Sequence, residues 1–250
     1  MSFLFNIFAV LIGVVASTFA YAETESFPAV DAKFETIQCA NPCKKTVKRD
    51  WWLMRATSQV ELRDVEKKTG QLTPRGEIWK RSPDGKMSYL FLMHDDKRAI
   101  EYLFDDLKVL GIKSDESQWQ ITSQLVSDAE LVGLKKLIKK SITYQGYSTE
   151  SYVGAINGAK VKLTWLPQLK IPVKLEYVYA KSKVTIQLNQ LNLAESTQAT
   201  KNPAPKTTEE VLNSYQQVYY TDIGDMEQSN DAKEWLAKAQ GAPGLHSHHH

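Results

Sequence analysis

Apolar and polar positions alternate with a period of two from Trp51 to Phe104 and again from Tyr147 to Leu193, the pattern of half-buried β-strands. In the second stretch, Asn157-Gly158 is the dipeptide best suited to a two-residue type I′ hairpin, because both central positions need positive φ. That turn pairs Ile156 with Ala159, Gly154 with Val161, Tyr152 with Leu163 and Glu150 with Trp165, leaving Lys160 and Lys162 on the opposite face. A second hairpin turns at Lys181-Ser182, setting Tyr179 against Val184, Tyr177 against Ile186 and Leu175 against Leu188; a four-residue loop keeps the same faces. After Asn189-Gln190 the apolar phase moves to Leu191 and Leu193. A one-residue slip exchanges faces, so a β-bulge or bend is predicted there.

In the first stretch, Pro83-Asp84-Gly85 is a turn between strands Gly76–Arg81 and Met87–His94. Met87 to Met93 is apolar on both faces, as in a central strand. A tight turn at Asp95-Asp96 places Phe91 opposite Ile100 and Tyr89 opposite Tyr102. Trp119 to Leu125 reads as a further strand. Ser127-Asp128-Ala129-Glu130 is a capping box, and Leu131, Leu134 and Ile138 follow at helical spacing, with Lys135, Lys136, Lys139 and Lys140 near the end of that helix. Those lysines are a solvated cationic face or a membrane-surface one. Residues 194–206 are polar and carry prolines, hence a linker. A second capping box, Thr207-Thr208-Glu209-Glu210, opens a helix with Val211, Tyr215 and Val218 or Tyr219 on one face, and Asn230 to Gln240 reads as a last helix. The helices of 207–240 are expected to pack on the sheet or the mouth of its concavity.

Composition narrows the class. Residues 1–22 carry no charged side chain and end Ala20-Tyr21-Ala22, an A-x-A cleavage site, so they read as a secretory signal peptide and the protein as periplasmic. An uncleaved anchor is the alternative, because the run approaches the about 18–20 residues that span a bilayer. The remaining organisation is a β domain over 23–193 with one inserted helix, the linker, the C-terminal helices and a tail over 241–250. A formal charge of +2 argues against nucleic acid as a partner. Cys39 and Cys43, separated by Ala-Asn-Pro, fit a small-loop disulfide in an exported chain. His246, His248, His249 and His250 form a cluster able to take Zn or Cu, or a purification tag. His94, Asp95 and Asp96 are adjacent on a strand end and do not converge, so they read as a solvated turn. Asp222, Asp225 and Glu227 lack calcium-loop spacing. No catalytic motif or paired nucleophile and base is legible, so the chain reads as a non-enzyme without a required cofactor.

The segment Tyr144-Gln145-Gly146-Tyr147 through Glu176, with Leu163-Thr164-Trp165-Leu166-Pro167-Gln168-Leu169 and Ile171-Pro172-Val173-Lys174-Leu175, resembles the second half of LolA-like periplasmic proteins. The resemblance implies a mainly β (α+β) fold, a curved antiparallel sheet or incomplete β-barrel covered by a few helices, with Trp51–Tyr102 as its other half. It also implies an apolar concave face that binds an acyl chain or another hydrophobic molecule, and a membrane or lipoprotein partner. Tyr152, Leu163, Trp165, Tyr177 and Ile186 are the wall residues so indicated. Two functions follow: a carrier of a lipid or other hydrophobic ligand, or a metal-handling protein using the histidine tail, with or without Cys39 and Cys43.

Overall fold

Turn chemistry decides the register of both halves of the sheet. A computed structural model describes residues 27–138, 142–193, 206–226, 229–239 and 241–245. Its strands are β1 (Val30–Ala40), β2 (Thr46–Arg55), β3 (Gln59–Val65), β4 (Leu72–Arg81), β5 (Met87–Met93), β6 (Arg98–Tyr102), β7 (Lys135–Lys136), β8 (Thr143–Tyr144), β9 (Tyr147–Ser148), β10 (Glu150–Ile156), β11 (Ala159–Leu166), β12 (Ile171–Val178), β13 (Ser182–Leu193) and β14 (Gln216–Tyr219). Short helices α1 (Phe104–Val109), α2 (Glu116–Gln124) and α3 (Asp128–Val132) follow β6, and α4 (Glu209–Asn213), α5 (Ile223–Met226) and α6 (Asn230–Lys238) lie near the C-terminus.

Twelve strands form one open sheet in the order β14-β6-β5-β4-β3-β2-β1-β13-β12-β11-β10-β7; β8 and β9 form a separate hairpin. Every pairing is antiparallel except that of β14 with β6. The sheet is curved and unclosed with few helices, the architecture implied by the LolA-like resemblance. The Asn157-Gly158 hairpin has the expected pairs, from Ile156 with Ala159 to Glu150 with Trp165. Phe91 faces Ile100 and Tyr89 faces Tyr102. The second hairpin takes the four-residue connection, so Tyr177 faces Val184 and Leu175 faces Ile186, two residues from the tighter register and on the same face. Between β1 and β13 the register shifts after Lys33, which pairs with Gln190 while Phe34 pairs with Leu188. Asn189 is the bulged residue, and the phase switch is absorbed there.

Three local readings change. Residues 116–124 are helix rather than strand, because Asp115 caps them by accepting a bond from the Gln118 amide; a local cap outweighs the alternation of Trp119 and Ile121. The capping box at Ser127 and Glu130 is present, but its helix stops at Val132. Lys135 and Lys136 join the sheet edge instead, pairing with Val153 and Tyr152, and Ile138 is left in solvent. Likewise the helix opened at Thr208 ends at Asn213, because Gln216–Tyr219 finds a free sheet edge in β6. The expectations for residues 1–22 and for the linker over 194–205 lie outside the described residues.

Met87 of β5 and Ile171 of β12, six places apart in the sheet order, share one buried cluster, so the face they occupy is concave. That cluster also takes Val30, Ala32, Phe34, Trp51 and Leu53. Toward β6, a second cluster of Tyr89, Phe91, Ile100 and Tyr102 is covered by Leu107, Val218, Ile223 and Trp235. Toward β10, a third gathers Val161, Leu163, Trp165 and Leu175 beneath Val126 and Leu134. Gly154 makes this last contact possible: a Cβ there would stand 2.7 Å from a Leu134 methyl. On the convex face α4 lays Leu212 over Ile78, Leu90 and Leu92. The C-terminal segment therefore wraps from the convex face, along the β6 edge, to the concave side.

Candidate functional site

The concave face of the sheet carries the largest buried apolar cluster among the described residues, and it is covered by the chain itself. At its centre sits Trp119, 1% exposed, delivered by α2 into the cluster of Phe34, Trp51, Leu53 and Met87. Phe34 and Trp51 stack with centroids 5.0 Å apart. The Trp-Leu-Pro turn closes the same space from the other side: Leu166, Leu169 and Ile171 are buried there. A break in the register between Thr164 and Trp165 swings the strand ends inward to allow it.

Arg55 joins these covering pieces. It closes β2 after the apolar run Trp51 to Met54 and is wholly buried. Its guanidinium donates from Nε to the Pro28 carbonyl (3.0 Å), from Nη1 to those of Ser123 (2.7 Å) and Lys170 (3.3 Å), and from Nη2 to Leu169 (2.5 Å). Ser123 is in the last turn of α2, where unpaired carbonyls and the helix dipole favour a cation. Phe27 lies under the charge, 5.5 Å from ring centroid to Cζ. None of these partners is a carboxylate, and burial lowers the Arg55 pKa to about 10. One cation thus ties the entering chain, α2 and the Trp-Leu-Pro turn to a central strand. After α2 the backbone passes through Leu125 at φ +68°, a left-handed conformation that costs a non-glycine residue roughly 1–2 kcal/mol. The cover is therefore short helices, one of them followed by a strained joint, held by Arg55 and, from β4, by Arg81, which pairs with Glu116 of α2 at 2.5 Å and lies over the Trp119 ring.

The wall residues named from the sequence come together as a set. Leu163 and Trp165 are each 2% exposed; Tyr152, Tyr177 and Ile186 are half-buried against the same cluster. Tyr152 donates its hydroxyl proton to Glu150 Oε2 at 2.5 Å, and Tyr177 stacks on Tyr179. They form one end of the concave face, under α3, rather than its centre. Arg55 and Trp119 were missed. A single arginine ending an otherwise apolar strand was the available signal for the first; the second was hidden by the strand reading of residues 119–125.

Over β2–β5 the concave face also carries a polar patch. A cleft of about 190 Å³ is lined by Leu62 and Phe91 together with Arg49, Asp64, Arg75 and Glu77. Arg49 pairs with Asp64 at 2.6 Å, and burial raises the Glu77 pKa against the opposing pull of Arg49.

The remaining candidates do not converge on chemistry. Cys39 and Cys43 form a disulfide, which leaves no free thiol for a metal. His94 lies against Gly76 on the convex face, its Nδ1 2.6 Å from the Tyr215 hydroxyl. It is half-buried rather than solvated because α4 and the residues after it fold over it. Asp96 turns away to Lys238, 2.8 Å distant. Among the described residues no group of three His, Cys, Asp or Glu side chains could hold a metal. His246, His248, His249, His250 and Glu227 lie outside the described residues. Among the described residues no helix is long and apolar enough to cross a membrane.

No family model matches the chain, and no curated protein matches it. Among solved structures it is similar to PNGF-II, at 8% identity and a TM-score of 0.39, over 80% of this chain and 34% of that one. It is similar to a putative outer membrane lipoprotein-sorting protein domain from Vibrio parahaemolyticus at 9% identity and a TM-score of 0.28, over 70% and 89% of the two chains. To MucB in the Pseudomonas aeruginosa MucA/MucB complex the identity is 14% and the TM-score 0.31, over 76% and 58%. The chain spans about a third of the length of PNGF-II. Likenesses at this level assign no function.

Proposed function

We propose that this protein is an exported, periplasmic, non-enzymatic carrier that holds a lipid or another hydrophobic molecule against the concave face of its sheet, with α1–α3 as a displaceable lid. The observation that carries the reading is Trp119: a large apolar side chain on a nine-residue helix fills the centre of the concavity, and its helix is tethered by two side chains of the sheet, Arg55 and Arg81. Moving α2 outward exposes Phe34, Trp51, Leu53 and Met87 as a ready apolar surface, worth about 25 cal/mol per Å² of guest surface buried. The strands beneath need not rearrange. Tyr152, Leu163, Trp165, Tyr177 and Ile186 extend that surface toward β10. The cleft of Arg49, Asp64, Arg75 and Glu77 gives the guest's polar end a place to stay hydrated.

The test is titration with a fluorescent fatty-acyl probe, alongside mass spectrometry of solvent extracts of the purified protein. The wild type should carry extractable lipid and bind the probe saturably. Trp119→Ala, which removes the plug without touching the strands, should bind it at least tenfold more tightly, about 1.4 kcal/mol. Absence of lipid together with failure of both proteins to bind the probe would show that the concavity is only a core.

A further inference from the structure

Charge is distributed very unevenly over this sheet. On β7 and β10–β13 the residues that point to the convex side include Lys135, Lys160, Lys162, Lys174 and Lys183, against one carboxylate, Glu176. The register makes them neighbours. Lys135 lies across from Val153, Val153 from Lys162, and Lys162 from Glu176; Lys160 lies across from Val178, and Val178 from Lys183. Glu176 is shared by Lys174 at 2.7 Å and Lys183 at 3.7 Å. Lys135, Lys160 and Lys162 make no ion pair among the described residues. This one face thus holds a formal +4 when the entire chain holds +2.

An apolar rim adjoins it. Ile138, 106% exposed, and Ile142, 73% exposed, flank the β7 edge. Ile142 borders a groove of about 360 Å³ whose other wall is Ser151, Thr164 and Val173 beside the lysine field. Leu137 is fixed to that edge by its amide, 2.8 Å from the Ser151 carbonyl.

We infer that this lysine-bearing convex face, with Ile138 and Ile142 at its rim, docks the protein on an anionic phospholipid bilayer. Lysine stems lie flat on a surface while their ammonium groups reach phosphates, and the isoleucines match the acyl boundary just below the headgroups. An acidic protein would satisfy the lysines equally well, but it would leave two of the most exposed isoleucines among the described residues without a function. The docked face is opposite the concave one, so the lid stays free to move. The inference does not depend on whether the concavity takes a guest.

The experiment is co-sedimentation of the full chain with vesicles of phosphatidylglycerol and phosphatidylcholine, compared with phosphatidylcholine alone. The wild type should bind the anionic vesicles and be released as salt approaches about 0.5 M, where screening shortens the reach of surface charges. Charge reversal at three exposed and unpaired positions, Lys135→Glu, Lys160→Glu and Lys162→Glu, should weaken binding at least tenfold. Reversal of the same number of exposed charges elsewhere, Lys67→Glu, Lys68→Glu and Lys113→Glu, controls for net charge and should change it less than twofold. Ile138→Ser with Ile142→Ser should weaken binding to the anionic vesicles at low salt at least threefold. Equal binding to both vesicle types, equal loss in the two triple variants, or binding to polyglutamate but not to vesicles would each overturn the inference, the last in favour of an acidic protein.

Discussion

A single histidine, His94, lies among the described residues, and burial sets its chemistry. Its pKa is lowered to about 4, first by desolvation and then by the Arg63 guanidinium beside it. An unfolded chain protonates histidine near about pH 6.5, so below that pH the unfolded state takes up the proton before the folded state does. The contribution of His94 to stability is therefore fully present above about pH 6.5 and is lost as pH falls through about 4. Glu61, whose pKa burial raises despite its bonds to Thr207, acts in the opposite sense. It is common to wild type and a His94→Gln variant, so it cancels between them; Arg63, Asp95 and Tyr215 are common to both as well. Denaturant titrations at about pH 7 and about pH 4.5 should show the stability gap between the two proteins narrowing at the lower pH. A gap that stays constant or widens would contradict the assignment. Reading His94 from the sequence failed for a physical reason: exposure at a strand end depends on what the distant residue Tyr215 covers, and no local pattern encodes that.

At the scale of elements, the lid is built from pieces that cannot stand alone. Helices α1, α2 and α3 are 6, 9 and 5 residues long, shorter than the about 12–15 residues an isolated helix needs, so their order comes from packing and from ties such as those of Arg55 and Arg81. Replacing Arg55 with Met keeps the apolar stem but orphans the buried carbonyls of Ser123 and Leu169. The expected loss of stability is about 3 kcal/mol, measured by denaturant unfolding, with accelerated amide exchange concentrated in residues 104–132. A loss below about 1 kcal/mol, or exchange unchanged in residues 104–132, would mean that Arg55 does not tether them. Hairpin registers were legible because Asn157-Gly158 and the side-chain period fix them locally, and the bulge at Asn189 announced itself as a phase change. The lid was not legible. Trp119 and Ile121 alternate like a strand, the Asp115 cap is one residue's signal, and the end of α3 depends on an open β10 edge that a one-dimensional pattern does not display.

The whole molecule is a curved sheet with one face occupied by its own helices and turns and an outer face sorted by charge. The family resemblance pointed to apolar residues on β10–β13 as one wall of the concave face, whereas the centre of that face was not legible, since it is made where Phe34, Trp51, Met87 and Trp119 meet from four separate segments. The central claim is that this occupation is reversible and that a guest replaces Trp119. In a two-state picture, a hydrophobic ligand shifts the population only through its preference for the lid-open form. Hydrogen–deuterium exchange of the full chain with and without a saturating fatty-acyl ligand reads that shift directly. Amides of residues 104–132 should exchange faster with ligand bound, while those of β1, β2 and β12 become better protected. Unchanged or increased protection across the lid in the presence of ligand would contradict the account.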